Sequence, residues 1–428
     1  MTARPRVVIV GGGFGGLSAA QGLRHAPVDV TLIDRTNHYL FQPLLYQVAT
    51  GVLSPADIAL PIRLLLRSQE NATVLMAVVT QINPIGRTVR ADEGRLEVPF
   101  DFLIVATGAR HSYFAHPEWE PLAPGLKTLD DAREIRGRFL TALEDAEKSD
   151  DPAEQSALLT FVIVGGGPTG VELAGILPTI ARKGFRRDFR RVDLARVQVI
   201  LLEAGPRLLP TFPEALGRRA MRDLEDLGVT CRTGAMVTRI TSDRVYVGDE
   251  AIVARTVFWA AGNAASPLIQ TMGVPLDRAG RALVAADLSI PGHPNVFVIG
   301  DAAAVPLLSA AGAPLKDSTD RPRYVPGLAA AANQMGEHAA RNILATLSGA
   351  PRQIFRYKDR GSLAVIGRGR AIADFGWLQL TGPVAFFTWF FVHLLYLAGF
   401  RNRASVLVEW AYAYLTYRPG ARLVAKDR

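Results

Sequence analysis

The feature that most constrains this chain is a glycine spacing that occurs twice, each time between a β-branched run and an alanine- and leucine-rich segment. In the first copy Val7-Val8-Ile9-Val10 leads into Gly11-Gly12-Gly13-Phe14-Gly15-Gly16-Leu17, and Gly11, Gly13 and Gly16 fill the GxGxxG spacing. Strand, loop and helix start then meet where backbone N–H groups and a helix N-terminus can hold a pyrophosphate. The first glycine permits the tight turn, the second lets phosphate approach the backbone, and the third lets the helix lie close on the strand. A second strand, Val28 to Asp34, ends in a carboxylate suited to ribose hydroxyls, with Arg35 beside it. The second copy runs from Thr160 through Gly165, Gly167 and Gly170, with Pro168 and Thr169 opening the helix and the Val197–Glu203 strand again ending in an acid.

Two complete fingerprints predict an α/β chain with two Rossmann-like dinucleotide-binding domains. A duplicate with one dead site would be expected to lose its glycines or its acid first, and neither copy has. The simplest chemistry for two dinucleotides is electron transfer between a nicotinamide and a flavin. The single cysteine, Cys231, cannot form a disulfide within the chain, so hydride is expected to pass directly between the rings. Cys231 follows Gly228-Val229-Thr230 in strand-like sequence, where a buried inert thiol is expected. Glu203 would accept from a free ribose 2′-hydroxyl and repel a 2′-phosphate, which predicts NADH over NADPH; Arg207 nearby weakens that preference.

Taken in order, residues 35–49 read as a loop passing into a helix with Pro43 near the first turn, well placed beside a flavin ring. Tyr46 and Gln47 either line a pocket there or belong to a packed loop. His38, His111 and His116 lack metal-ligand spacing, so no metal site is expected. Strand-like Thr73–Val79 and Arg87–Arg90 suggest a small antiparallel addition, and the strand from Asp101 ends where Thr107 and Gly108 can approach a dinucleotide. Thr128–Glu147 reads as a charged surface helix capped by Asp130 or Thr128. Glu172, on the first turn after the second fingerprint, either complements the helix dipole or faces the nicotinamide and flavin and handles a proton. Ala261 and Gly262 close the second module as Thr107 and Gly108 close the first. Gly300-Asp301 ends a returning strand, where Asp301 either meets the ribityl chain of FAD or caps a helix. Leu328 opens a helix whose Gln334 is a long polar side chain in an otherwise small, apolar segment.

The tail is chemically different. Residues 375–417 hold 13 of the chain's 34 aromatics, and the 18 residues Pro383–Phe400 are nearly all apolar until Arg401-Asn402-Arg403. A second helix from Ala404 would place Leu407, Trp410, Tyr414 and Tyr417 along one face. A core helix, a membrane span and a pair of interfacial helices compete; 18 residues are short for a layer needing about 20, and Trp, Tyr and arginine favour headgroup depth. Residues 352–428 carry 12 basic and 4 acidic side chains, as much as the whole chain's net +8. An excess so confined points to a local anionic lipid surface and not to nucleic acid. The N-terminus is too short before its first strand for a signal peptide, which predicts a peripheral protein on the cytoplasmic side of the cell membrane.

From fingerprints through aromatic tail, the chain resembles the type II NADH:quinone oxidoreductases, single-subunit, non-proton-pumping flavoenzymes of respiratory electron transport. The resemblance rests on Gly11–Gly16, Phe41–Tyr46, Gly165–Glu172, Gly300-Asp301, Gln334 and Gly399–Arg403. It implies FAD in a discontinuous first domain (1–116 and 287–374), NADH in an inserted second (117–286), and C-terminal amphipathic membrane-anchoring helices (375–428), often with a homodimer interface. Glu172 would match the family's glutamate near the nicotinamide, and Gln334 a glutamine near flavin and quinone, with Tyr46, Gln47 and Leu328 about the quinone. Many members carry another glutamine four residues before; here that position is Ala330. The implied reaction passes hydride from NADH to FAD and two electrons on to a membrane quinone. A soluble carrier-protein reductase and a membrane-docked NADH sensor are the alternatives.

Overall fold

The structure, a computed structural model, describes residues 4–309, 312–317, 319–417 and 420–424. Arg418, Lys426, Asp427 and Arg428 of the basic tail, and the first three residues of the N-terminal reading, lie outside the described residues. The chain divides into two compact units, Met1–Tyr39 with Leu60–Arg110 and Asn263–Arg360, and Leu40–Ala59 with His111–Gly262 and Gly361–Arg428. This division assigns 263–286 to the first unit and 40–59, 111–116 and 361–374 to the second, where the sequence suggested the reverse.

In the first unit the strands Ala72–Met76, Asp29–Asp34, Arg6–Val10, Phe102–Val105 and His293–Val298 lie side by side and parallel, with Ser289–Ile290 as an antiparallel edge. Val7, Ile9, Leu32, Leu103, Ile104 and Phe297 are buried, as expected where helices cover both faces of a parallel sheet. The Phe14–Gly22 and Ala329–Leu347 helices touch backbone to backbone: a Cβ on Gly336 would lie 2.1 Å from the Gly15 carbonyl oxygen. The antiparallel addition exists, but its strands are Val79–Asn83, Thr88–Ala91 and Leu96–Pro99. Residues 72–76 instead extend the parallel sheet, because the Asn71 amide donates to the carbonyls of Leu23, Ala26 and Val28 and sets that register.

The second unit repeats the plan with Val229–Arg232, Gln198–Leu202, Thr160–Val164 and Thr256–Trp259, all parallel. Cys231 pairs with Leu201 on this sheet, and burial pushes its thiol up to about 12, so it stays protonated and inert. The Leu129–Lys148 helix is capped by Thr128, not Asp130, in a reciprocal box with Asp131. An antiparallel sheet of Ser362–Gly367, Arg370–Asp374 and Gln379–Thr381 leads into two tail helices, Gly382–Tyr396 and Phe400–Thr416. The second therefore begins four residues before the expected start. Among the described residues no helix is long and apolar enough to cross a membrane, which removes the spanning reading of the tail.

Candidate functional site

Each unit carries a nucleotide cradle built by its glycines. Gly11 sits at φ +105°, and a Cβ on Gly16 would lie 1.8 Å from the Gly11 carbonyl oxygen, so only glycine lets helix and strand approach this closely. Gly13, at the helix N-terminus, has open space where a side chain would stand, which leaves room for phosphate. Asp34 accepts from Gly12 N at 2.6 Å and from the Thr36 amide and hydroxyl, which holds its carboxylate at the loop. At the end of the neighbouring strand the buried Thr107 hydroxyl has no partner, and Gly108 (φ +65°) opens on free space. A Cβ on Gly327 would lie 2.9 Å from the Asp301 carboxylate, so that acid also stands in a cleft that only backbone approaches. An orphaned hydroxyl, a bare helix end and two anchored acids fit FAD in this unit. Phe14 packs edge-on against Tyr39, Gly15 is fixed by Ile299 and Ala332, Arg35 follows the acid, and Gly300 takes φ +65° and donates to Met335 Sδ. Pro43, expected beside the flavin, belongs to the second unit, in the Gln42–Leu44 turn.

The second cradle is the same in detail. Gly165 sits at φ +112°, a Cβ on Gly170 would meet the Gly165 oxygen at 1.9 Å, and Gly167 is open, with Pro168 and Thr169 in the first turn. Glu203 accepts from Gly166 N and Gly205 N, both at 2.6 Å. Arg207 donates to the Phe212 and Pro210 carbonyls, so it is engaged in its own loop and not extended toward a 2′-phosphate. Gly262 packs on Phe114, and Ala261 joins the aromatic cluster of Tyr113, Trp119 and Trp259. These residues fit NADH.

Within the second unit, a cavity of about 430 Å³ lies between the fingerprint helix, the Ser362–Gly367 strand and the two tail helices. The fingerprint helix lies against that strand because Gly175 has no side chain; a Cβ there would be 1.6 Å from the Ile366 oxygen. Phe386, Phe387, Trp389, Phe390, Leu407 and Trp410 make the walls apolar. Glu172 is the one carboxyl among the described lining residues, and desolvation drives it well above the ordinary glutamate range, the Val365 backbone opposing. Burial thus pushes the carboxyl toward its protonated form, which the dipole role does not require. Tyr46 and Gln47 also line the cavity, both buried, so the pocket alternative holds for them. Burial, with Glu172 nearby, keeps the Tyr46 hydroxyl protonated. Leu407, Trp410, Tyr414 and Tyr417 all line this cavity, with Trp410 buried and Leu407 and Tyr414 still partly open to solvent.

Gln334 and Leu328 do not line it. The Gln334 amide makes a two-point bond with the Lys358 backbone, donating to its oxygen and accepting from its nitrogen, both at 2.9 Å, which ties residues 350–360 to the helix. Arg403 caps the first tail helix at Leu395 O and Leu397 O, and Asn402 donates to Ala56 O and Asp57 O, so only Arg401 of that trio points freely to solvent. Two features were missed from sequence. The buried Trp389 indole N–H has no partner. Residues 182–191 carry six basic side chains against Asp188, a charge run visible in the sequence and hidden by the neutral sum of the first 351 residues.

Residues 5–336 match the pyridine nucleotide-disulphide oxidoreductase family and residues 360–419 the NDH2 C-terminal domain. The type II NADH:quinone oxidoreductase Ndh of Mycobacterium tuberculosis is 44% identical, over 97% of this chain and 89% of its own. The demethylphylloquinone reductase NdbB of Synechocystis is 30% identical over 95% of this chain and 96% of its own. Among solved structures, NDH2 from Plasmodium falciparum in complex with NADH superposes at a TM-score of 0.88 with 22% identity, covering 97% of this chain and 99% of that one. With two intact dinucleotide cradles, no second cysteine, and relatives named for the reaction, the chain belongs to the type II NADH:quinone oxidoreductases, flavoenzymes that carry electrons from NADH through FAD to a quinone.

Proposed function

We propose that the cavity of the second unit is where the quinone ring binds, and that the outward faces of the tail helices rest on an anionic lipid surface on the cytoplasmic side. The observation that carries the first part is a chamber of about 430 Å³ with aromatic walls, a single carboxyl that burial pushes toward its neutral form, and one cation, Arg368, whose guanidinium is spent on the Tyr414 and Tyr417 rings. Its size and apolarity suit a flat, uncharged ring better than a soluble protein carrier. NADH, one proton and a quinone give NAD⁺ and a quinol, so one proton comes from solution for each turnover. When bound, FAD and NADH supply hydride and electron transfer; the protein's part is position, exclusion of water and that proton. Glu172, kept neutral by desolvation, holds a proton at its carboxyl oxygen where a quinone oxygen would need one.

For the membrane, Val384, Phe391 and Leu395 are exposed on the first tail helix, and Phe400 and Val408 on the second. Lys183 lies over the Tyr417 ring and Arg422 over Phe185, so the basic run 182–191 flanks the tail. Each basic group near anionic lipid contributes about 1 kcal/mol before screening. Replacing Phe391 and Leu395 by glutamate should release the protein from anionic vesicles in a sedimentation assay while leaving FAD bound; continued sedimentation would sink the lipid reading. Sedimentation velocity in detergent distinguishes a second copy of the chain as occupant of the same face.

The test of function is stopped-flow reduction of the flavin by NADH, followed by mixing with a membrane quinone. Rapid reoxidation is expected, and reoxidation slower than by ferricyanide would argue against quinone as the acceptor.

A further inference from the structure

Three buried side chains on the cavity wall form a hydrogen-bond series with a fixed direction. The Trp410 indole Nε1–H donates to Gln47 Oε1 at 2.6 Å, and Gln47 Nε2 donates to the Tyr46 hydroxyl oxygen at 2.8 Å. Indole nitrogen has one hydrogen and no acceptor, so it can meet only the carbonyl side of the amide. That turns the NH₂ side to Tyr46 and uses the phenol oxygen as an acceptor. The hydroxyl keeps its own proton, which no described group accepts. Tyr46 lines the cavity.

Both ends of the series are held. Trp410 is 8% exposed and packs against Trp389 and Phe390 with ring centroids 5.4 and 4.7 Å away. Its helix is tied down by Asn402 on the Ala56 and Asp57 carbonyls and by the Ser405 hydroxyl on the Asp57 carboxylate at 2.6 Å. Gln47 is 5% exposed, and its backbone oxygen receives Val52 N at 2.8 Å. Were the amide free to flip, Tyr46 would give its proton to the Gln47 oxygen and present only lone pairs. The tail thus decides, through one indole, what the phenol offers.

We propose that Trp410 is a positioning residue that fixes the Gln47 amide so that Tyr46 donates its hydroxyl proton into the cavity, to an oxygen that accepts and carries no charge, a quinone carbonyl. This deepens the reading of the cavity as the quinone pocket and rests on it. Burial holds the Tyr46 proton firmly, so the group serves as a donor and not as an acid that ionises. The buried and unpartnered Trp389 N–H on the same wall is a second donor in want of an acceptor.

The decisive variant is Gln47→Glu. Unlike Glu172, whose only opposing bond is from the Val365 backbone, a carboxyl there meets two donors, the Trp410 indole and the Tyr46 hydroxyl, which hold it ionised at pH 8. It keeps the volume and the Trp410 bond but accepts from Tyr46 and withdraws the proton from the cavity. Steady-state KM for a short-chain quinone should rise about tenfold in Tyr46→Phe and in Gln47→Glu at pH 8, and the double variant should be no worse. As pH falls, Gln47→Glu alone should recover, because the protonated carboxyl again donates to Tyr46; Tyr46→Phe should not. Flavin reduction by NADH in stopped flow should match the parent throughout. A Gln47→Glu enzyme indistinguishable from the parent at pH 8, or a loss that does not recover with acid, overturns the relay. Thr179→Phe, which narrows the cavity from the fingerprint helix and shares no hydrogen bond with the series, separates the two ideas. If it raises the quinone KM while Tyr46→Phe does nothing, the pocket stands and the relay falls. If none of these variants moves the quinone KM, the pocket reading falls with it. Trp410→Phe should give a partial loss with FAD retained; if it loses FAD, the two conservative variants decide.

Discussion

The two glycine loops share one backbone geometry and differ in their side chains, most consequentially at one position. First glycines at φ +105° and +112°, third glycines whose Cβ would lie 1.8 and 1.9 Å from a carbonyl, and acids 2.6 Å from the backbone nitrogen just after the first glycine, on Gly12 and on Gly166, describe one device built twice. Two residues past the third glycine the copies part, with Ser18 in the first and Glu172 in the second. Ser18 donates to Asn333 Oδ1 at 3.0 Å and joins two helices. Glu172 instead looks into an apolar chamber and keeps its proton. Gripping a nucleotide is a property of backbone and so can be copied whole; the chemistry is placed where the backbone leaves a side chain free.

The sharpest way to break the comparison is to add one methyl group to each copy. Gly16→Ala should yield colourless protein, since the clash at 1.8 Å moves the helix off the FAD cradle. Gly170→Ala should stay yellow and lose about a hundredfold or more in the rate of flavin reduction by NADH, the size expected when a reacting group is displaced by about 1 Å. Absorbance near the flavin band and a stopped-flow trace separate the two; equal loss of colour in both would undo the assignment of one nucleotide to each unit.

Next in size is Glu172→Gln, expected to slow quinone reduction by roughly tenfold to a hundredfold while flavin reduction by NADH is spared. It also carries a stability signature. The folded carboxyl keeps its proton above the range where the unfolded chain gives it up, so the native state binds more protons. Stability is then full below the ordinary glutamate pKa of about 4.3 and is lost as pH rises toward the raised folded value. Glutamine cannot titrate, so the melting temperature of Glu172→Gln should gain on the parent as pH rises. A constant difference across pH would mean that Glu172 is ionised in the fold.

Much of this was legible in the sequence because glycine positions are dictated by local backbone geometry: both cradles, their acids and the strand ends at Thr107 and Gly262 follow from spacing. What was not legible depends on tertiary packing. Ala72–Met76 has the pattern of an edge strand, and only the three carbonyls gathered by Asn71 make it parallel. Gln334 stands out as a polar group among small ones, and the partner such a group needs is a backbone segment 24 residues away, which periodicity cannot register. The aromatic face of the second tail helix was legible as a face but its neighbour was left open between core, span and interface, since an apolar stripe is indifferent to whether lipid, core or ligand covers it.

The acids at the strand ends allow a third test. Glu203→Ser should lower the preference for NADH over NADPH by about tenfold, read from kcat/KM for each coenzyme, because a carboxylate beside a 2′-phosphate is a like-charge contact. Arg207 should add little even then, as its guanidinium is spent on Phe212 and Pro210. A large gain for NADPH in Glu203→Ser that disappears in Glu203→Ser/Arg207→Ala would show that the arginine turns to the phosphate once the acid is gone.

The smallest effect belongs to Ser18→Ala. It removes one part-buried hydrogen bond and leaves Asn333 Oδ1 short of a donor, a loss of about 1 kcal/mol by denaturant titration. No change is expected in NADH oxidation or quinone reduction, because the serine's partner lies on the neighbouring helix and not in a cavity. The contrast with Glu172→Gln carries the weight: equivalent positions on equivalent helices, one costing stability and sparing rate, the other costing rate. If Ser18→Ala slowed turnover as Glu172→Gln does, the site beyond the third glycine would have to be reactive in both copies, and the division between a gripping backbone and a reacting side chain would not describe this protein.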